Sequence, residues 1–84
     1  GAGLMALVTL LYFASLRERA GVDSETVSTA AADLAGVYDE AQARHGFTWP
    51  RGHLRVAMDG EFARWDDAPR AGSEIAFIPP VSGG

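Results

Sequence analysis

One long amphipathic pattern, at residues 30–45, most constrains what this 84-residue chain can fold into. Apolar side chains recur there at the three-, four- and seven-residue spacings of a helix face, as Leu34, Val37, Tyr38 and Ala41. Ser28 or Thr29 offers a hydroxyl N-cap, and Gly46 offers a C-cap. The sequence therefore predicts a single main helix over residues 30–45.

Strand patterns lie on both sides of this helix. We predict strands at residues 7–13, 24–28, 54–58, 61–64 and 73–78. A short helical turn at Ala14–Ala20, ended by Gly21, separates the first two, and Asp59-Gly60 is a strong hairpin signal. The order strand, strand, helix, strand, strand, strand indicates an α+β fold in which a mixed sheet packs on one main helix.

Alternation along the strands assigns side chains to the two faces of this sheet. Val8, Leu10 and Tyr12 form a uniformly apolar face that we assign to the core, and Ile75 and Phe77 join them. The opposite face has no helix to cover it, yet it carries apolar side chains. They are Leu11, Phe13, Ala76 and Ile78, with Phe62 joining from the hairpin. Apolar residues gathered outside the core favour a protein partner.

Composition narrows the function classes. Without cysteine, the chain has neither disulfides nor thiolate metal ligands nor a cysteine nucleophile of its own. The seven basic residues are all arginine, and the net charge of −4 argues against nucleic acid and anionic membranes and suits a basic partner. The apolar run at residues 6–14 is too short to span a bilayer and has no basic segment before it, so we expect a cytoplasmic protein.

The sequence contains no recognisable set of catalytic residues. Asp66 and Asp67 sit beside a proline and a glycine, so solvated turn residues are expected rather than an acid/base pair. His45 and His53 do not reproduce a metal-ligand spacing. No phosphate-binding loop of the P-loop type is present, so the chain is not expected to bind ATP or another cofactor itself.

The end of the chain is the most reactive feature. Pro79 and Pro80 cannot donate a ladder hydrogen bond, so the last strand should stop at Ile78 and release a tail. Val81 and Ser82 lead to Gly83 and Gly84, which lack Cβ atoms and can enter a narrow tunnel. We divide the chain into residues 1–4, interpreted as an extension left from expression, a domain at residues 5–78, and a projecting tail at residues 79–84.

Three segments together resemble a known family. Residues 10–18, Leu-Leu-Tyr-Phe-Ala-Ser-Leu-Arg-Glu, and residues 71–77, Ala-Gly-Ser-Glu-Ile-Ala-Phe, precede the ending Pro-Pro-Val-Ser-Gly-Gly at residues 79–84. In these segments the chain resembles the small subunits of molybdopterin synthase, which are ubiquitin-like sulfur carriers. The resemblance runs from Met5 to the C-terminus and implies a β-grasp fold.

The resemblance also implies a function for the tail. An ATP-dependent activating enzyme would adenylate the Gly84 carboxylate, and a sulfur donor would convert it to a thiocarboxylate. The tail would insert into the large subunit of molybdopterin synthase, within a heterotetramer of two small and two large subunits, and give sulfur to cyclic pyranopterin monophosphate. On this basis Gly83 and Gly84 are the reactive end, Pro79, Pro80, Val81 and Ser82 are the inserted tail, and Phe13, Phe62 and Ile78 contact the large subunit.

Alternatives stay open at this point. A sulfur carrier for thiazole synthesis has a similar fold and ending, but it usually lacks the Arg17-Glu18 segment and the paired prolines. A ubiquitin-like protein modifier or interaction module would carry Gly84 in an isopeptide bond or leave it unmodified. A small hydrolase is a third class, but the sequence offers no set of residues that could form its catalytic site.

Overall fold

A five-stranded mixed sheet with one long helix forms the protein in the computed structural model, which describes residues 5–80. The elements in chain order are β1 (Ala6–Tyr12), α1 (Ala14–Ala20), β2 (Ser24–Thr29), α2 (Leu34–His45), a 3-10 turn (Arg51–His53), β3 (Arg55–Met58), β4 (Glu61–Ala63) and β5 (Glu74–Ile78). The sheet order is β2-β1-β5-β3-β4. The central strands β1 and β5 run parallel, and all other neighbours are antiparallel. The predicted α+β fold class and element order are confirmed.

The core lies between one face of this sheet and α2. The four apolar side chains of the helix pattern are all buried, as are the β1 residues Val8, Leu10 and Tyr12 that alternation assigned inward. Ile75 and Phe77 of β5 are fully covered, at 0% exposure. Because residues of all these elements belong to one contiguous cluster, the sheet face is fixed against the helix by a single core.

The start of the main helix was predicted wrongly. Helix α2 begins at Leu34 rather than at residue 30, and Asp33 is its N-cap, with its side chain accepting a hydrogen bond of 2.9 Å from the Gly36 amide. Thr29 instead ends β2, where it pairs with Ala6. Sheet pairing therefore keeps this threonine extended, and a better cap four residues later starts the helix. The predicted end is confirmed, since Gly46 adopts a left-handed φ of 73° and donates to Gln42.

The predicted hairpin between β3 and β4 is also confirmed. Asp59 and Gly60 both have positive φ values, 54° and 86°, as a tight two-residue hairpin turn requires. Asp59 also exchanges two hydrogen bonds with Glu74, one through its backbone amide at 2.8 Å and one through its carboxylate at 2.9 Å. The turn is thereby fastened to the start of β5, which holds the short hairpin at a fixed place on the sheet.

Helices of the described part of the chain are short. None within residues 5–80 has both the length and the apolar character needed to cross a membrane.

Candidate functional site at the outer sheet face

A row of apolar side chains crosses the sheet on the face opposite α2. Leu11 of β1 lies beside Ala76 of β5, Ala76 lies opposite Ala57 of β3, and Ala57 lies opposite Phe62 of β4. Leu11, Ala57 and Ala76 occupy outward positions, since the residue before each of them (Leu10, Val56 and Ile75) is in the core. The alternation read from the sequence therefore placed these side chains correctly, and Ala57 is an addition to the predicted set.

This row forms the floor of a groove of about 290 Å³, which we call the outer groove. Ala57 and Ala76 are only 8% exposed, whereas Phe13 and Phe62 are 45% and 69% exposed. Small side chains thus make the floor and large aromatic rings stand at the rim. The outer groove is lined by Leu11, Phe13, Ala57, Gly60, Phe62, Glu74, Ala76 and Ile78. The structure therefore brings Phe13, Phe62 and Ile78 to one surface.

The rest of the same sheet face is mostly polar, although Leu7 of β1 is 57% exposed there. Outward positions of β2 are occupied by serine and threonine, and the Thr26 hydroxyl lies 3.3 Å from that of Thr9 on β1. Hydroxyl pairs of this kind remain well solvated in the absence of a partner. The apolar surface is therefore concentrated on the half of the sheet formed by β5, β3 and β4 with the end of β1.

The tail leaves the domain at the edge of the outer groove. Strand β5 ends at Ile78, as predicted, and the chain continues through Pro79, which is buried, to Pro80, which is exposed. A second groove of about 400 Å³ lies beside this exit and is lined by His53, Arg55, Ile78, Pro79 and Pro80. Ile78 belongs to both grooves, so the apolar surface continues to the tail. The predicted tail residues Val81, Ser82, Gly83 and Gly84 lie outside the described residues.

One charged residue of this surface was missed by the sequence reasoning. The Arg55 guanidinium carbon lies 5.3 Å from the centroid of the Phe62 ring, a cation–π arrangement. Arg55 also sits opposite Ile78 in the register of β3 and β5. The available signal was the alternation of Leu54, Arg55 and Val56, which points the arginine outward between two core residues.

A polar cluster lies on the other side of the molecule, where β2 meets the end of α2. The Oε2 atom of Glu25 accepts a hydrogen bond from the Tyr12 hydroxyl, and it lies 2.7 Å from His45 Nε2 and 3.5 Å from Arg44 Nη1. Burial alone would raise the pKa of Glu25, but the hydrogen bonds from Tyr12 and His45 and the nearby positive charges hold that pKa below its ordinary 4.5. Burial and the Glu25 carboxylate raise the pKa of Tyr12.

The Glu25 cluster and the pair Asp66 and Asp67 are best explained by a structural role. Every donor of the Glu25 cluster joins one strand or helix to another, which stabilises the fold. Asp67 accepts a 2.9 Å hydrogen bond from the Arg64 amide and Asp66 contacts the Arg64 side chain at 3.2 Å, so both serve the turn, as predicted. Within residues 5–80 no group of three or more histidine, cysteine or acidic side chains could hold a metal ion.

Comparison of the sequence with known proteins identifies its family. A family model described as the ThiS family matches residues 10–84. Three relatives are named molybdopterin synthase sulfur carrier subunit, among them those from Haemophilus influenzae and Homo sapiens. The one from Haemophilus influenzae is 34% identical, covering 93% of this chain and all of the relative, and the one from Homo sapiens is 38% identical, covering 92% and 93%. Small archaeal modifier protein 1 from Haloferax volcanii is 37% identical over 86% of this chain and 94% of its own length.

Solved structures extend the comparison to the fold. The solution structure of small archaeal modifier protein 1 from Methanosarcina acetivorans matches with a TM-score of 0.78 at 25% identity, over 98% of this chain and all of that one. A ubiquitin from Caldiarchaeum subterraneum matches with a TM-score of 0.65 at 14% identity, over 95% of this chain and 99% of that one, and shows the fold alone. The fold is therefore the ubiquitin-like β-grasp, and the chain belongs to the ThiS family.

Proposed function

We propose that this chain is the small, sulfur-carrying subunit of molybdopterin synthase in molybdenum cofactor biosynthesis. The observation that carries the proposal is the position of the outer groove, an exposed apolar surface that continues to the point where a tail ending Gly83-Gly84 leaves the domain. A docking surface beside a tail that ends in two glycines suits a carrier that presents this tail to other proteins. The family and the names of the human and Haemophilus relatives support the same reading.

The chemistry we propose takes place at Gly84. An ATP-dependent enzyme transfers AMP to the terminal carboxylate and releases pyrophosphate, which turns a poor electrophile into a mixed anhydride. A donor that supplies sulfur at the oxidation level of sulfide then attacks the carbonyl carbon, the bond to AMP breaks, AMP leaves, and a thiocarboxylate remains. Gly83 and Gly84 suit this step because neither has a Cβ atom to obstruct a narrow active site. ATP is used by the activating enzyme, and we propose no cofactor bound by this chain.

The second partner we propose is the large subunit of molybdopterin synthase. Phe13, Phe62 and Ile78 dock on it, while the segment from Pro79 and Pro80 through Val81 and Ser82 enters its active site. The thiocarboxylate sulfur then transfers to cyclic pyranopterin monophosphate, and two such transfers build the dithiolene. Positioning the sulfur beside its target in this way replaces a bimolecular encounter with a local step, which can lower the barrier by several kcal/mol.

Under this proposal the chain is not an enzyme by itself. It supplies a reactive end and a docking surface, and the large subunit supplies the catalytic site of the sulfurtransferase. We further propose two small and two large subunits per complex. The reaction is placed in the cytoplasm, where ATP is available for adenylation.

A second candidate function is supported by one specific comparison. The Haloferax volcanii relative, 37% identical to this chain, is named a small archaeal modifier protein. A protein modifier would use the same adenylation of Gly84 but would end with its carbonyl carbon joined to a lysine amine of another protein. This chain has no lysine, so such a modifier could not build chains on its own side chains. A carrier for thiazole synthesis would share the thiocarboxylate and differ only in the acceptor.

A reconstituted sulfur-transfer assay tests the leading proposal. The chain would be loaded by its activating enzyme with ATP and a sulfur donor and then mixed with the large subunit and cyclic pyranopterin monophosphate. We expect molybdopterin from the native chain and none from a chain lacking Gly84, although both should unfold at the same urea concentration. Equal product from the shortened chain would contradict the proposal. Isopeptide conjugates without molybdopterin would favour the modifier.

A further inference from the structure

We propose that Arg55 recognises a carboxylate on the large subunit of molybdopterin synthase, within a mostly apolar contact that spans the outer groove and the groove beside the tail exit. This inference rests on the proposed function, and it adds the chemistry of the partner surface. The facing surface should be apolar where it meets Phe62 and Ile78, with one aspartate or glutamate placed against the guanidinium.

The position of Arg55 makes its burial by a docked partner unavoidable. Its guanidinium stacks 5.3 Å from the centroid of the Phe62 ring, and its backbone lies opposite Ile78. It also lines the groove beside the tail exit, together with Pro79 and Pro80. Any protein surface that covers the Phe62 ring and follows the tail past Ile78 must therefore cover the arginine between them.

Charge pairing separates Arg55 from most other arginines. Arg44, Arg51, Arg64 and Arg70 each contact a carboxylate at 3.2 to 3.5 Å. Arg55 makes no such pair with any residue between 5 and 80. Within the described residues it is thus a cation without a counterion, on a chain of net charge −4, and it lies on the surface that the tail leaves.

An unpaired guanidinium is costly to cover. Removing a charge from water without a partner disfavours binding strongly, whereas a carboxylate placed opposite the planar guanidinium can accept two parallel hydrogen bonds. Phe62 already holds one face of the guanidinium, so the side chain loses less freedom when it pairs. Arg55 therefore has the properties of an anchor residue that becomes buried in an interface, and not those of a charge that stays solvated at its rim.

Titration of the full chain into purified large subunit, at low and at physiological salt, tests the inference. Arg55→Met keeps an unbranched side chain over the Phe62 ring and removes the charge. We expect Arg55→Met to bind about tenfold more weakly than the native chain, Arg55→Glu to bind more weakly still, and Arg55→Lys to fall between the native chain and Arg55→Met. The salt dependence of binding should be smaller for Arg55→Met than for the native chain.

Arg64→Met is the matched control, because Arg64 is equally charged, 80% exposed in its side chain and paired with Asp66 in a turn. It should bind like the native chain, and all variants should keep the native urea midpoint. Arg55→Met that binds as tightly as the native chain, with the same salt dependence, would overturn the inference while leaving the proposed function intact. Failure of the native chain to bind the large subunit would instead refute the proposed function.

Discussion

His45 Nε2 lies 2.7 Å from Oε2 of Glu25, which joins the last residue of α2 to the edge strand β2. The same oxygen accepts the Tyr12 hydroxyl from β1. One carboxylate therefore links a helix and two strands, on the side of the sheet that faces away from the outer groove. This arrangement predicts how the stability of the fold depends on pH.

Glu25→Gln should lower the free energy of unfolding by about 2 kcal/mol at neutral pH, because a carboxylate that accepts several hydrogen bonds is lost. The pKa of Glu25 in the folded state lies below 4.5, so its contribution is complete above that pH and is lost as the pH falls through the lower, folded-state pKa. Urea unfolding of both proteins across this range should show the difference shrinking toward acid pH.

Glu18→Gln is the control for this comparison, since Glu18 is exposed on α1 and makes no ion pair with any residue between 5 and 80. Its effect should be close to zero at every pH. A Glu25→Gln difference that stays constant down to strongly acidic conditions would contradict the role assigned to the carboxylate.

Both tyrosines of the chain should resist ionisation. Burial and the Glu25 carboxylate raise the pKa of Tyr12, and burial and Asp39 raise the pKa of Tyr38 above the ordinary 10.0. Because the raised pKa belongs to the folded state, the stabilisation is present below pH 10 and is lost as the pH rises above it. Ultraviolet absorbance of tyrosinate should therefore appear at higher pH in the native protein than in urea. Coincident titration curves would refute this.

Two substitutions distinguish Asp33 from Ser28 as the N-cap of α2. Asp33→Ala should cost about 1 kcal/mol of stability, since the carboxylate accepts the Gly36 amide at 2.9 Å. Ser28→Ala should be neutral, because Ser28 is an exposed residue of β2 and not a cap. Urea midpoints of the two variants measure this directly. A larger loss for Ser28→Ala would mean that the helix starts earlier than Leu34.

The docking role of the outer groove can be tested by introducing a single charged side chain into it. Phe13→Asp should weaken binding to the large subunit by about thirtyfold or more, the loss typical of a central anchor residue. Folding should survive, since Phe13 is 45% exposed and precedes α1, where aspartate is a favourable cap. Val22→Asp is the control, with 43% exposure in the loop before β2. Equal affinities for the two variants would remove Phe13 from the docking surface.

Alternation made the sheet faces predictable. A strand period of two fixed which of Leu10 and Leu11, or of Ala76 and Phe77, faces the core, because each strand carries a uniformly apolar set on one side. Asp59-Gly60 was equally informative, since few other dipeptides adopt two positive φ values. These features depend on neighbouring residues alone.

Features that depend on distant contacts were not predictable. The helix start was decided by the pairing of Thr29 with Ala6 across the sheet, which overrides the helix preference of the alanines that follow. The Glu25 cluster joins residues 13 and 20 positions apart. Similarly, the stacking of Arg55 on Phe62 depends on the hairpin register, so the pattern around either residue alone does not predict it.

The most direct measurement is intact-mass analysis of the chain with its own C-terminus, incubated with its activating enzyme, ATP and a sulfur donor. We expect a mass gain equal to the exchange of one oxygen for sulfur, mapped by fragmentation to Gly84 and absent when ATP is withheld. A chain that stays at its original mass under conditions in which a known sulfur carrier is converted, or that gains sulfur elsewhere, would contradict the proposal that Gly84 carries the sulfur.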